Sequence, residues 1–547
     1  MKGMMMQRPL LISEILEYGA EAYPTAEVVS VRTEGDIHRE TFPELRDRAA
    51  QLAHALRAEG IEPGDRVATL AWNGYRHLEL YYGISGIGSV CHTINPRLSA
   101  EQLIYIASHA EDRLLFLDTT FVPVIAAVRD QLPQDLRFVI MTDRAHMPDT
   151  PFEALCYEEF IEDQPTRIDW PEFPEDTAAG LCYTSGTTGN PKGALYTHRS
   201  TVLHAMMVGL MQSHSFQEGR KVLPVVPLFH VNAWGLPYSA VLCGLSLVMP
   251  GHALDGPSLF KLMDDEGVYS AWGVPTVWQG LLAEIKAQGR MPREFADVVV
   301  GGSAAPRSMI EAFESRGATV GHAWGMTEMS PVGSHGALPA YLADAPFEEQ
   351  MAAKAKQGRR CYGVDFKIVD EDGQRQPHDG KAVGELYVRG NTVVSGYFRN
   401  EEATEAAMDG EGWFGTGDVA SIDPKGFLVI QDRAKDLIKS GGEWISSIDL
   451  ENAAMSHPAI ASCAAIGVAH PKWDERPILV AVPAGEDRPT LEEMHDHLSE
   501  HFAKWQLPDD LVWVEALPLT ATGKVSKLTL RKQLAEYEHP DLRVPAE

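Results

Sequence analysis

Cysteine is scarce and scattered in this chain. Six occur in 547 residues, with no CxxC pair among them: Cys91, Cys156, Cys182, Cys243, Cys361 and Cys463. Such spacing argues against both a disulfide framework and a zinc site. We therefore expect reduced thiols and a cytoplasmic location.

Long hydrophobic segments are also missing. Apolar runs such as residues 238–249 are short and broken by glycine, so they are not expected to span a bilayer. The N-terminal stretch is followed by Glu14 and Glu17 without a small-residue cleavage pattern. No signal peptide is predicted from it.

Positive charge is in short supply. The chain has 47 Lys and Arg residues against 77 Asp and Glu, a formal net charge of -30. This balance disfavours nucleic acid or an anionic membrane as a partner, so an anionic substrate must be attracted by local cationic groups. A hydrophobic content of 44% with 23% charged residues is typical of a soluble globular protein.

The pattern along the chain changes character twice. From Asp65, apolar β-like runs alternate with amphipathic stretches, and a second such region covers residues 201–325; this rhythm predicts parallel sheets with covering helices. Residues 367–430 read as short strands and glycine-rich turns. The sequence thus predicts a large α/β domain of stacked parallel sheets with a β-rich subdomain (1–432), followed by a small, mobile α+β domain (433–547).

The strongest local motif is YTSGTTGNPKG, residues 183–193. Its glycines, hydroxyls and lysine suit a flexible loop whose backbone N–H groups wrap a polyphosphate. The spacing is not that of a Walker A loop. The alternative, a polar surface turn, rarely concentrates so many phosphate-compatible groups.

Six further motifs follow in a fixed order: VVPLFHVNAW (225–234), GGSAAP (301–306), AWGMTE (323–328), GWFGTGD (412–418), DRAKDLIKSGGEWIS (432–446) and LPLTATGK (517–524). Together with the loop, they resemble the adenylate-forming superfamily of acyl-CoA synthetases, luciferases and peptide-synthetase adenylation domains. The resemblance covers almost the whole chain. It implies an enzyme that uses ATP and Mg²⁺ to adenylate a carboxylic acid and then transfers the acyl group to coenzyme A.

The resemblance assigns the nucleotide site to the large domain. Thr327 would contact the α-phosphate, Glu328 and Thr184 would hold Mg²⁺, and Asp418 and Arg433 would hold the ribose. The polyphosphate would be held by Thr184, Ser185, Gly186, Thr187, Thr188, Gly189 and Lys192. Adenine would be framed by Ser303, Ala304, Ala305, Pro306, His322, Ala323, Trp324, Gly325 and Met326. Trp324 departs from the family pattern, where tyrosine is more common; stacking is kept and the hydroxyl contact is lost.

Residues of the small domain are implied in both half-reactions. Lys524 resembles the adenylation lysine that bridges the carboxylate and the α-phosphate. Lys435 occupies the hinge position, around which the small domain is expected to rotate. After rotation the site would be faced by Lys439, Gly441, Gly442 and Trp444.

The acyl pocket is expected near His230 and Trp234. If HVNAW is helical, these two residues share a face at i,i+4 spacing. His230 would then lie near the carboxylate and Trp234 near the tail, although core packing explains Trp234 nearly as well. Further pocket residues are expected at Val231, Gly301, Gly302 and Pro331. Peptide-synthetase domains place an aspartate where His230 stands, which disfavours an amino acid substrate.

Two other patterns are rejected as functional sites. Gly410, Gly412 and Gly415 have dinucleotide-binding spacing but do not lie between a strand and a helix of a βαβ unit. His497 and His501, with His495 nearby, have i,i+4 spacing. A solvated helix face explains them better than a metal site.

Three rival functions remain beside a CoA ligase: a carrier-loading domain, a luciferase-like oxygenase and a non-enzymatic nucleotide sensor. Only 23 residues follow Lys524, so no attached carrier domain is expected and free coenzyme A is the simpler acceptor. Several stretches, including CHTINPRL (91–98), FHVNAWGLPY (229–238) and GVPTVWQGLL (273–282), look closest to medium- and long-chain fatty acyl-CoA ligases and to 3-methylmercaptopropionate-CoA ligases. We expect a short or medium apolar acid such as 3-methylmercaptopropionate, with a long-chain fatty acid as the alternative. Homodimers are common among such relatives, and one is expected here.

Overall fold

Four β-sheets organise the part of the chain that the computed structural model describes, namely residues 1, 3–184, 190–520, 523–535, 537 and 539. Their strands are β1 (Glu27–Val31), β2 (Ile37–Thr41), β3 (Arg66–Leu70), β4 (Val90–Thr93), β5 (Asp112–Leu117), β6 (Arg137–Ile140), β7 (Leu155–Cys156), β8 (Ala178–Tyr183), β9 (Gly193–Thr197), β10 (Lys221–Pro224), β11 (Ser246–Met249), β12 (Ser270–Gly273), β13 (Asp297–Val300), β14 (Thr319–Gly325), β15 (Val332–Gly336), β16 (Arg359–Arg360), β17 (Val364–Val369), β18 (Gly384–Gly390), β19 (Phe414–Ile422), β20 (Leu428–Arg433), β21 (Ile438–Ser440), β22 (Glu443–Ile445), β23 (Ile460–His470), β24 (Asp474–Pro483) and β25 (Asp510–Trp513).

Helices cover and connect these sheets. They are α1 (Ile12–Ala22), α2 (Phe42–Ala58), α3 (Tyr75–Gly86), α4 (Ala100–Ala110), α5 (Val122–Val128), α6 (Tyr157–Ile161), α7 (His198–Met211), α8 (Leu236–Cys243), α9 (Gly256–Glu266), α10 (Pro275–Gln288), α11 (Arg307–Glu314), α12 (Phe347–Lys354), α13 (Glu401–Ala407), α14 (Ser447–Ala454), α15 (Leu491–Leu498) and α16 (Lys527–Gln533). None in the described part of the chain is both long and apolar enough to cross a membrane.

Two largely parallel sheets form the body of the large domain. The first has the order β16-β15-β14-β13-β12-β10-β11-β1-β2, and the second has the order β7-β6-β5-β3-β4-β8-β9. Pairs within the centre of each, such as β12 with β13 and β3 with β5, are parallel, whereas β9 and β15 pair antiparallel at the edges. The predicted α/β class with stacked parallel sheets is confirmed.

One apolar cluster joins the two sheets. It combines Val67 and Phe116 from the second sheet with Trp272 and Val299 from the first, all 0–1% exposed, and it includes residues of α1, α2 and α3. These helices pack into the cluster through their apolar residues. Helix α2 begins with a capping box, in which Thr41 and Glu44 satisfy each other's backbone N–H groups. The core thus holds the carboxyl ends of many strands in a fixed relation.

The remaining two sheets are smaller. The β-rich region is a four-stranded antiparallel sheet, β17-β18-β19-β20, and its last strand ends at Arg433. A five-stranded sheet built from β21 to β25 follows, packed with α14, α15 and α16. Strands and helices thus occur together in this region, which agrees with the predicted α+β class.

Candidate active site

The phosphate-loop motif connects two strands at a sheet edge. β8 and β9 pair antiparallel from Ala178↔Thr197 to Tyr183↔Gly193, which brings the two ends of the motif side by side. Its base is closed by two hydrogen bonds: Thr184 N donates to Lys192 O (2.8 Å) and Lys192 N donates to Thr184 Oγ1 (3.3 Å). Five predicted phosphate-binding residues lie outside the described part of the chain: Ser185, Gly186, Thr187, Thr188 and Gly189.

Thr327 and Glu328 form a 3₁₀ turn directly after β14. Both are buried, at 8% and 5% exposure. Tyr196 Oη donates to Thr327 O (2.6 Å), and Tyr397 Oη donates to Glu328 Oε1 (2.7 Å). Burial raises the pKa of the Glu328 carboxyl, and the Tyr397 hydrogen bond opposes this shift. A nearby cation would favour the charged form of this side chain, which burial disfavours.

The donor set at this turn fits a magnesium ion that is bound mainly through substrate phosphates. Within the described residues, no group of three or more His, Cys, Asp or Glu side chains could hold a metal. Glu328 supplies one buried carboxylate, and Thr184 supplies a hydroxyl at the root of the loop. Mg²⁺ commonly uses one or two carboxylates together with phosphate oxygens and water.

Asp418 lies between two donors. Arg433 Nε contacts Asp418 Oδ1 (2.7 Å), and Trp324 Nε1 donates to Asp418 Oδ2 (2.9 Å). Asp418 and Arg433 face each other in the β19–β20 pairing, which explains how a distant sequence position reaches the carboxylate. The Trp324 indole N–H therefore makes a polar contact where only the loss of a hydroxyl was expected.

The GGSAAP segment follows β13, beside β14. Ala305 N donates to His322 Nε2 (3.2 Å), while the other ring nitrogen of His322 lies 3.1 Å from Ala355 O. Burial lowers the pKa of His322 to about 4, so its imidazole is neutral and can accept this hydrogen bond. His322 thereby fixes the predicted adenine segment, in which Ser303 is exposed, Ala304 is half-buried and Pro306 is buried.

The β14 end is equally constrained. Ala323 is buried, and Gly325 and Met326 are half-buried. Met326 N donates to Pro331 O (3.1 Å), and a Cβ on Gly325 would lie 2.0 Å from the same oxygen. Glycine at 325 is thus required by the close approach of the two segments.

The conditional expectation that HVNAW is helical was wrong in its handedness. Val231, Asn232, Ala233 and Trp234 have φ values of 43°, 55°, 45° and 57°, and Gly235 continues at 81°. They form a left-handed turn, which costs about 1–2 kcal/mol per non-glycine residue. The i,i+4 argument for His230 and Trp234 therefore does not apply, because it assumes a right-handed helix.

Trp234 is buried against the segment that follows β13. It is 7% exposed, and a Cβ on Gly301 would lie 2.9 Å from its Cη2 atom. Its ring centroid is 6.4 Å from that of Trp272. His230 is half-buried at the entrance to the turn, and burial together with the charge of Lys524 lowers its pKa to about 3. Its imidazole is therefore neutral.

Lys524 reaches into the large domain from the small one. Its Cε lies 3.3 Å from the position that a Cβ on Gly302 would occupy. The preceding residue is anchored, because Thr276 Oγ1 donates to Gly523 O (3.1 Å). Burial, and then the charge of Arg433, lower the pKa of Lys524 to about 8, although Asp418 and Glu328 oppose the shift.

The remaining small-domain residues that were predicted to take part in the reaction lie on the surface. Lys435 is exposed in the turn between β20 and β21. The hairpin β21–β22 carries the exposed residues Lys439, Gly441, Gly442 and Trp444, and Lys439 Nζ lies 5.5 Å from the centroid of the Trp444 ring. Both glycines have positive φ, 63° and 90°, as the turn requires.

Sequence reasoning missed two tyrosines, Tyr196 and Tyr397, which contact the Thr327–Glu328 turn. Their motifs carry no chemical pattern of their own, so only the fold brings them to the site. The rejected histidines have ordinary partners: His495 Nε2 lies 2.6 Å from Pro508 O, and His497 Nε2 lies 2.9 Å from Ser456 Oγ.

Two family models match the chain. One describes AMP-binding enzymes and matches residues 16–398; the other describes the C-terminal domain of AMP-binding enzymes and matches residues 449–524. Together they cover the phosphate loop, the Thr327–Glu328 turn and Lys524.

Curated relatives match over nearly the full length. The chain is 49% identical to a 3-methylmercaptopropionyl-CoA ligase of Ruegeria lacuscaerulensis, over 98% of this chain and 99% of the relative. It is 46% identical to a long-chain-fatty-acid–CoA ligase of Thermus thermophilus, over 97% of both. Among solved structures, an anthranilate CoA ligase bound to anthranoyl-AMP superposes with a TM-score of 0.86 at 24% identity, over 97% of this chain and 99% of that one, which supports the fold.

Proposed function

The chain belongs to the family of AMP-binding enzymes, and we propose that it is an AMP-forming acyl-CoA synthetase with a short or medium apolar acid as its substrate. Lys524 carries this proposal. The small domain presents a cation, half-buried, close to Gly302 and under the charge of Asp418, Glu328 and Arg433. A lysine in this place is suited to the first half-reaction, in which negative charge accumulates between an acid and ATP.

In the first half-reaction, an oxygen of the substrate carboxylate attacks the α-phosphorus of ATP. The new C–O–P linkage forms while the bond from the α-phosphorus to the bridging oxygen breaks, and pyrophosphate leaves with that electron pair. Lys524 would hold the attacking carboxylate and the α-phosphate together, and Thr327 would donate to the α-phosphate. Such donors matter because the charge that they stabilise grows in the transition state.

Mg²⁺, when bound at Glu328 and Thr184, would screen the phosphate charge that repels the incoming carboxylate. Asp418 is suited to accept hydrogen bonds from the ribose hydroxyls, because its carboxylate is fixed by Arg433 and Trp324. The neutral imidazole of His230 would contact the acid without adding a competing charge. Residues of the chain would thus orient the phosphates, the ribose and the acid.

In the second half-reaction, the sulfur of coenzyme A attacks the acyl carbon of the adenylate. The C–S bond forms, the C–O bond to AMP breaks, AMP leaves with the electron pair, and the thiol proton passes to solvent. We propose that the small domain rotates about Lys435 for this step. The exposed position of Lys439, Gly441, Gly442 and Trp444 supports the rotation, because these residues would otherwise have no role in the site.

The depressed pKa of Lys524 predicts a pH dependence of adenylation. The lysine acts in its protonated form, which predominates below a pKa of about 8 and is lost as the pH rises through that value. The kcat/KM for pyrophosphate release, which reports the free enzyme, should therefore fall above pH 8. In Lys524→Arg, whose guanidinium stays protonated, the fall should disappear even where the rate is lower. An unchanged pH profile in Lys524→Arg would contradict the assignment.

We propose 3-methylmercaptopropionate as the leading candidate acid, with a long-chain fatty acid as the alternative. The 49% identical relative carries the first name, and the 46% identical relative carries the second. The burial of Trp234 against Gly301 and its nearness to Trp272 favour a short pocket, because the indole occupies space that a long tail needs. A thioether tail requires only a small apolar pocket.

A chain-length series distinguishes the two acids. With a pocket closed by Trp234, kcat/KM should rise from propionate to a short optimum and then fall. An open tunnel would add about 0.8 kcal/mol, or several-fold, for each buried methylene. Trp234→Ala should move the optimum to longer acids, and Trp278→Phe serves as a control because Trp278 is buried in a separate apolar cluster. A steady rise to palmitate in the wild type, with no activity on the thioether acid, would favour the long-chain assignment.

The central experiment is a pyrophosphate-release screen over a panel of acids with ATP, followed by thioester detection after coenzyme A is added. Release that depends on the acid separates a ligase from a nucleotide sensor. Thioester product, rather than light or CO₂, separates it from a luciferase-like oxygenase. We further propose a homodimer in the cytoplasm; the six cysteines are all unpaired, as reducing conditions would leave them.

A further inference from the structure

Tyr397 lies in the segment between β18 and α13, in the sequence SGYFRN. Its backbone N–H donates to Thr404 Oγ1 (2.9 Å), and its ring packs edge-on against Phe414 with centroids 5.8 Å apart. The preceding Gly396 approaches Thr404 so closely that a Cβ would lie 2.6 Å from its Cγ2 atom. The ring of Tyr397 is therefore held from the backbone and from the side.

This fixed ring touches two separate parts of the nucleotide site. Its hydroxyl donates to Glu328 Oε1 (2.7 Å), and Lys192 Nζ lies 5.0 Å from its centroid. Glu328 follows β14 in one large sheet, whereas Lys192 precedes β9 in the other. Next to Tyr397, Phe398 N donates to Gly193 O (2.8 Å), which ties the same segment to the end of the phosphate loop.

We propose that Tyr397 is a positioning residue for the metal–nucleotide complex, an inference that rests on the proposed function. Its hydroxyl donates to Glu328 Oε1, so the other carboxylate oxygen would be the one available to a Mg²⁺ ion. Its ring holds the Lys192 ammonium by a cation–π contact, so that the lysine stands ready near the polyphosphate. One side chain thereby sets the distance between the metal carboxylate and the phosphate-loop cation.

The physical reason is the orientation of the Glu328 carboxylate. The terminal torsion of a glutamate has a broad energy profile, so a hydrogen bond to one oxygen helps to orient the other. Loss of such an outer hydrogen bond typically lowers metal affinity by about 10–100-fold. The effect should be on the magnesium dependence, because the hydroxyl of Tyr397 donates to Glu328.

Tyr397→Phe isolates the hydroxyl, because the ring and its cation–π contact remain. We expect the Mg²⁺ concentration that half-saturates ATP binding, measured by calorimetry, to rise about 10–100-fold. The Kd for ATP in the presence of a chelator should stay within about twofold, since no metal takes part there. Tyr397→Leu, which removes the ring as well, should also weaken the metal-free binding of ATP.

The matched control is Tyr387→Phe in β18. Tyr387 also has a lysine over its ring, with Lys367 Nζ 5.4 Å from the centroid, but no hydrogen bond from its hydroxyl to Glu328 is among those described. It should leave both binding constants unchanged. Equal weakening of ATP binding by Tyr397→Phe with and without Mg²⁺ would overturn the proposal, as would no change in either. If the wild type released no pyrophosphate with any acid while the magnesium shift persisted, the proposed function would fail and the role of Tyr397 would stand.

Discussion

Replacing Lys524 with alanine should lower the rate of pyrophosphate release by about 10²–10³, the usual cost of removing one positioned donor at developing charge. The structure places this lysine half-buried beside Gly302 and under the charges of Asp418 and Glu328. Thioester formation from supplied acyl-adenylate should stay within a few-fold of the wild type. In the proposed rotation the lysine leaves the site before the second step, so its charge should not be needed there.

Both half-reactions must be measured separately on the same preparation, with pyrophosphate release for the first and thioester appearance for the second. Lys532→Ala is a suitable control, because Lys532 is an exposed lysine in α16 of the same domain. It should leave both steps unchanged. A comparable loss in the two steps of Lys524→Ala would mean that the lysine supports the fold of the small domain rather than adenylation.

A disulfide between positions 276 and 523 should block the second half-reaction reversibly. A Cβ placed on Gly523 would lie 3.8 Å from Thr276 Oγ1, whose place the sulfur of a cysteine at 276 would take, so Thr276→Cys with Gly523→Cys brings two thiols close together. The oxidised double variant should release one equivalent of pyrophosphate in a burst. Thioester formation should fall in proportion to the cross-linked fraction, because the small domain can no longer rotate.

Reductant supplies the internal control, since it should restore thioester formation in the same sample. The single variants Thr276→Cys and Gly523→Cys test the cost of each substitution; Gly523 has φ of 80°, so a side chain there carries some strain. The native thiols should not interfere, because none of the six is fully exposed: five are buried and Cys243 is half-buried. Wild-type thioester rates in the fully oxidised variant would refute domain rotation.

The broad architecture could be predicted because its causes are local. Alternating apolar runs and amphipathic stretches after Asp65 appear as β3, α3, β4, α4, β5, α5 and β6, in that order. A hydrophobic period of two indicates a strand and one near 3.6 indicates a helix, and both periods are visible in the sequence. Helix α14 was not predicted from the sequence. It is short and has a mixed composition, so tertiary contacts rather than local periodicity determine its conformation.

The site was less predictable where distant elements meet. The Asp418–Arg433 contact depends on the register of β19 and β20, and the Trp324 indole reaches the same carboxylate from another sheet. Tyr397 contacts Glu328 across 69 residues of sequence. No spacing rule brings such pairs together, because strand register and packing set their distances rather than local periodicity.

The left-handed turn at 231–235 has a consequence for how this sequence can change. Four non-glycine residues there are held in a conformation that costs about 1–2 kcal/mol each, and Val231 is β-branched, the least tolerant type. That sum is a large part of a net stability of about 5–15 kcal/mol. A lineage selected only for heat resistance would therefore drift toward glycine at residues 231–233. It would relieve backbone strain, while Trp234 on a more flexible turn would close the proposed acyl pocket less well.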